Sequence, residues 1–164
     1  MSKEQMMPFI LNVNFERVAQ VEDFISFIWT PRFYAPGDFE LCCRIEYSEY
    51  IYKGTYVARH NDDHIGIVEK IQYKLTDDQQ EMIIASGRFL PAILARRIIS
   101  NQTQLTGKVP QCIRLLVEEN AINPTNSART IPGLYFENNS TSTEEMDAQY
   151  TGENLLNTLS SVCE

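Results

Sequence analysis

Two histidines, four cysteines and a few paired acids are the residues of this chain that chemistry would use first. His60 and His64 stand four apart, a spacing that on a helix would let both rings reach one metal ion. Asn61, Asp62 and Asp63 lie between them and read as a turn, so no helix sets the ring geometry. The acids could lend oxygen ligands to a weak cation site or a metal-dependent hydrolase; the structural alternative is a solvated hairpin turn. The spacing of Cys42, Cys43, Cys112 and Cys163 fits neither a disulfide framework nor a C-x-x-C zinc pair. They read as reduced thiols acting as small hydrophobes. Glu118 and Glu119 are neighbours on a helical stretch and point to different sides, which does not make a carboxylate pair. No G-x-S-x-G, phosphate-cradling glycine loop or H-E-x-x-H occurs. The sequence makes no case for an enzyme, and implies no cofactor and no metal site.

Two other groups carry binding potential. Arg88, Arg96 and Arg97 form the main basic cluster. They would meet a partner's carboxylates or a ligand phosphate, or else fix the protein's own loops through bidentate bonds. Trp29, the single tryptophan, joins Phe27, Phe33, Tyr34 and Phe39 in a dense aromatic block. The block reads as core, or as an oligomer or partner surface, where Trp, Tyr and Arg concentrate binding energy.

The elements that must hold these residues differ between the two halves. Over 8–87 short apolar or alternating runs are separated by turn residues. The clearest is 39–47, where Phe39, Leu41, Cys43, Ile45 and Tyr47 share one face and Glu40, Cys42, Arg44 and Glu46 the other. Runs at 8–14, 17–24, 25–33, 50–58, 64–75 and 81–86 read as further strands, the fourth broken by Gly54. Turns are expected at 35–38, 61–63 and 76–78. Repeated short strands of this kind predict an antiparallel sheet closing towards a partial β-barrel or a sandwich. From 88 the pattern turns helical. Residues 88–99 read as a short helical segment with Pro91 in its first turn. A helix over 107–120 places Val109, Cys112, Ile113, Leu116 and Val117 on one face. Residues 123–133 read as a loop, 134–136 as a short strand and 138–143 as a polar linker. Leu155, Leu156, Leu159 and Val162 predict a last helix with Thr151 as its cap. The expected class is α+β, with an antiparallel β domain over 1–87 and a mainly helical lobe over 88–164.

With 164 residues, 43% hydrophobic and 22% charged, the chain has ordinary globular composition. Its formal net charge of −8 argues against wrapping nucleic acid through phosphates, and against an anionic membrane surface. The acidity is terminal: residues 134–164 hold six acids and no Lys or Arg, whereas 1–133 carry 14 basic residues against 16 acids. Residues 1–8 show no secretory pattern, and no apolar run reaches the roughly 20 residues of a membrane helix.

Three ordered blocks carry a family resemblance. The first holds Trp29, Arg32, Phe33, Tyr34, Pro36, Gly37, Asp38, Phe39 and Glu40; the second Gly87, Arg88, Arg96 and Arg97; the third Asn120, Asn123, Pro124, Arg129 and Pro132. Together they resemble a family of tail proteins from siphophages and prophages, similar to the baseplate hub or tail-associated protein. The resemblance implies a virion structural protein of the tail tip, made in the host cytoplasm and built from β-barrel domains with helical insertions. It implies assembly as a trimeric homo-oligomer around the tail channel and contact with other tail proteins, without direct nucleic-acid or membrane binding. The matched residues would then be structural or interface positions, with no catalytic residue carried over. Members are typically several times longer, so the chain is expected to be truncated relative to them. The rival reading is a carbohydrate- or ligand-binding β module.

Overall fold

The computed structural model describes residues 7–76, 78–137 and 140–163. Most of the start read as leaderless, Asp77 of the third turn, and Asn138 and Asn139 of the linker lie outside those residues. The chain divides into two compact units, Met1–Pro91 and Ala92–Glu164. The class is α+β, as the sequence implied.

The first unit holds eight strands among its described residues: β1 (Pro8–Leu11), β2 (Arg17–Gln20), β3 (Phe24–Thr30), β4 (Asp38–Arg44), β5 (Tyr56–Arg59), β6 (Ile65–Ile67), β7 (Lys70–Leu75) and β8 (Glu81–Arg88). They form two antiparallel four-stranded sheets with orders β2-β1-β5-β6 and β3-β4-β8-β7. One core joins them. Ile10 of β1 and Val57 of β5 meet Phe39, Leu41 and Cys43 of β4 and Ile83 and Ala85 of β8. The alternation read from 39–47 therefore holds through β4, with Glu40 and Arg44 exposed between buried neighbours.

The expected barrel does not close among the described residues. β6 is three residues long, and a single bridge, Gly66 to Phe89, ties it to the end of β8. The sheets stay open because the chain leaves β6 at Val68 and Glu69 to start β7 on the other sheet. That step also splits the strand expected at 64–75 into two. After Arg44 the backbone tightens into a 3-10 turn, Ile45–Glu49, so Ile45 and Tyr47 pack on the core from a turn rather than a strand. Gly54 takes φ +95, a left-handed turn, and the strand expected at 50–58 begins only at Tyr56.

The second unit is built on a β pair that the sequence reading left out: β9 (Thr103–Lys108) against β10 (Glu145–Tyr150). Its helices are α1 (Val109–Val117) and α2 (Leu155–Cys163), and α1 runs on into a π turn, Glu118–Ile122. Cys112, Leu116 and Val117 of α1 pack with Leu105 of β9 and with Leu155 and Leu159 of α2. Pro110 stands in the first turn of α1, where its missing N–H leaves no bond unmade. The segment expected to be helical at 88–99 is instead the end of β8 followed by a 3-10 helix, Leu90–Arg96. Residues 134–136 form no strand. The cap of α2 is Asn154, whose Oδ1 accepts from the Asn157 N–H at 3.3 Å, in place of Thr151.

Candidate functional site

In the first unit the first sequence block meets Gly87 and Arg88, the start of the second. β4 pairs with β8 so that Asp38 faces Arg88 and Phe39 faces Gly87. The Phe89 N–H donates to the Gly37 carbonyl at 2.8 Å, closing the base of the loop between β3 and β4. Both glycines are there for room. A Cβ on Gly37 would stand 2.2 Å from the Thr30 carbonyl and 2.6 Å from the Phe89 ring; one on Gly87 would stand 1.8 Å from the Ile67 carbonyl. Neither position accepts a side chain without moving backbone.

Aromatic rings fill the space this packing creates. Trp29 stacks at a tilt on Phe89 with centroids 4.5 Å apart, on Phe27 at 5.3 Å and on Phe39 at 6.0 Å. Of the block read from the sequence, these three contribute to the core. Phe33 and Tyr34 do not: they form a T-shaped pair at 4.7 Å on the loop and are 91% and 48% exposed. The Arg32 guanidinium pairs with Asp38 at 2.5 Å, and Pro36 precedes the pinned Gly37. The result is a loop with a fixed base and an apolar aromatic tip.

Arg88 makes two bonds to Glu69, Nε to Oε2 at 3.0 Å and Nη2 to Oε1 at 2.8 Å. The hydrogen bond to Glu69 holds the Arg88 guanidinium above its ordinary pKa, against a smaller opposing effect of burial. This pair, with Glu40, Lys70, Ile28 and Ser86, borders an open depression of about 430 Å³ on the sheet. Glu69 was not legible as Arg88's partner, since nothing local marks it.

The histidine turn serves this same packing. Asp62 Oδ1 accepts from the His64 backbone N–H at 2.8 Å and meets His64 Nδ1 at 2.7 Å. Asp62 Oδ2 accepts from Arg59 Nε at 2.8 Å, and the Arg59 guanidinium lies 5.7 Å above the Trp29 ring. Burial alone would raise the Asp62 pKa; the His64 backbone bond and the Arg59 bonds outweigh it and hold the carboxyl low. The N-D-D-H order signals such an Asx turn. His60 is exposed and borders a different hollow with Met7, Phe9, Arg17 and Gln20. Among the described residues no group of three or more His, Cys, Asp or Glu gathers to hold a metal. Cys43 is buried, which pushes its thiol up to about 12, with a smaller push from Cys42.

The remaining block residues lie in the second unit, where Asn120, Arg97 and Arg129 fasten its backbone. Asn120 is buried; its Oδ1 accepts from the Ser100 N–H at 3.1 Å and its Nδ2 donates to the Leu116 carbonyl at 3.0 Å. Arg97 Nε donates to the Arg129 carbonyl at 2.5 Å, and Arg129 returns a bond to the Ile98 carbonyl. Pro124 is buried, whereas Arg96, Asn123 and Pro132 are exposed. Arg97 and Arg129 thus fix loops.

What these groups build is a scaffold with presented surfaces. Fold comparison gives the class. Over 95% of this chain, with a TM-score of 0.65 at 10% identity, the fold is that of a prophage tail protein, gp18, from Listeria monocytogenes EGD-e. A tail protein from Neisseria meningitidis MC58 matches 68% of the chain with a TM-score of 0.50 at 15% identity. The chain spans 44% of the first of these proteins and 32% of the second. Residues 8–164 match the Siphovirus ReqiPepy6 Gp37-like protein family, and the chain belongs to that family. The resemblance drawn from the three blocks is thereby borne out. No curated protein matches it.

Proposed function

We propose that this protein is a structural component of a siphophage or prophage tail, hub-like, acting by self-assembly and by contact with other tail proteins. The observation that carries the reading is family membership over 8–164 together with a fold shared along 95% of the chain with a prophage tail protein. The arrangement of the block residues supports it too: they pin backbone and leave surfaces exposed, as a building block requires. In this reading the protein is made in the host cytoplasm and ends at the tail tip, as a trimer in its full-length form, and does no enzymatic work. Deleting the gene from an inducible prophage tests the proposal. Loss of complete tails, restored by the gene in trans, is expected; normal infectious particles from the deletion strain would overturn it.

A second reading, a carbohydrate-binding module, draws on the exposed Phe33 and Tyr34 pair, since aromatic faces stack on sugars. A glycan array separates the two. Binding abolished by Phe33→Ala would favour the module, and an empty array would remove it.

A further inference from the structure

The two outer strands of the sheet β3-β4-β8-β7 are unlike each other. β3 is seven residues long and contains no charge and no proline, with Ile25 and Ile28 62% and 53% exposed. Among the described residues its outward edge makes no backbone bond. Folded proteins normally blunt such an edge with lysine, proline or a short strand, because it is a template for another strand. β7, at the far side, is also open outward. It carries Lys70 and Lys74, and exposes Tyr73 and Leu75 by 68% and 60%.

We propose that β3 of one copy pairs with β7 of the next, continuing the sheet from subunit to subunit. This rests on the self-assembly reading above and names the surface that carries it. Successive strands of the sheet alternate in direction, so β3 and β7 run antiparallel. Setting β7 beside the neighbour's β3 keeps that alternation and brings the Leu75 end against Phe24. Lys74, opposite Ile25 in that register, then lies diagonally across from the exposed Asp23, with the exposed Glu22 next to it. None of these three charges has a salt-bridge partner among the described residues. A hollow of about 320 Å³, lined by Ile45, Tyr73, Leu75 and Met82 beside Lys74 and Glu81, opens at this end of β7 and suits the neighbour's exposed Ile25. The contact joins different edges, so it is heterologous and generates a ring when the rotation closes.

The test is solution mass by light scattering over a concentration series on the full chain, with three variants. Ile28→Lys on β3 and Lys74→Glu on β7 change exposed side chains, and circular dichroism checks that each folds. Wild type should self-associate; each single variant should weaken association roughly tenfold or more, and Asp23→Lys combined with Lys74→Glu should regain it. A wild type monomeric at every concentration overturns the pairing. So does a multimer indifferent to Lys74→Glu, or one that Asp23→Lys does not rescue, and those two outcomes leave self-assembly through another surface standing. Incorporation of the same variants into tails is scored separately and bears on the tail reading alone.

Discussion

Replacing Gly87 with alanine isolates the packing that joins the first two sequence blocks. Its backbone torsions suit any residue, because Gly87 is not among the glycines with positive φ. The whole cost is therefore space. The new Cβ would lie 1.8 Å from the Ile67 carbonyl and 3.0 Å from the Glu69 nitrogen, whose N–H donates to Ser86 at 3.0 Å. Neither obstacle is a flexible side chain, so β8 must separate from the 67–69 segment. Overpacking costs about 1–3 kcal/mol when neighbours can adjust, and backbone obstacles put this case near 3. For a unit of this size each kcal/mol shifts the midpoint by roughly 4–8 °C, so thermal unfolding should drop by about 12–24 °C. Gly54→Ala is the matched control. Its φ is +95 and nothing lies within 4 Å of its Cβ, so it bears only the backbone penalty of about 1 kcal/mol. Melting followed by circular dichroism reads both. A Gly87→Ala protein that melts within about 4 °C of wild type, or no lower than Gly54→Ala, would refute the packing argument.

Three further outcomes are expected. Asn120→Ala removes the buried side chain that accepts the part-buried bond from the Ser100 N–H and donates to the Leu116 carbonyl, and should cost about 1–3 kcal/mol in denaturant titration. Asp62 has a folded pKa below its unfolded value. The stability it contributes is therefore complete above the usual carboxylate range and is lost as pH falls through the folded pKa. Asp62→Asn should accordingly flatten the acid limb of stability against pH, below about pH 4, and leave the neutral region parallel. In alkylation at pH 8 read by peptide mass, the exposed Cys163 should react first. Cys43, pushed up to about 12, should stay unmodified until the protein is unfolded.

Legibility in the sequence followed burial on one face. β4 could be read from its alternation because Phe39, Leu41 and Cys43 are buried while Glu40 and Arg44 meet solvent. α1 could be read because Cys112, Leu116 and Val117 recur at helical spacing on the buried side. β9 and β10 could not. Their exposed positions are Gln104, Thr106, Lys108, Glu145, Asp147 and Gln149, and both strands depend on a partner distant in the chain. The break between β6 and β7 was hidden for a different reason: Val68 is buried like Ile67 before it, and no Gly, Pro or Asn marks the corner at Glu69. The block residues were legible as a set, and their meeting place was not. Only pairing of β4 with β8 sets Gly37 against Phe89 and brings Trp29 over the same ring. Glu69 stands 19 residues from Arg88, and no local pattern marks the pair.

Immunogold electron microscopy of induced, purified particles tests the central claim most directly. With an antibody raised against this chain, label confined to the tail tip is the predicted result. Particles with intact tails that carry no label, alongside the protein free in the lysate, would contradict it.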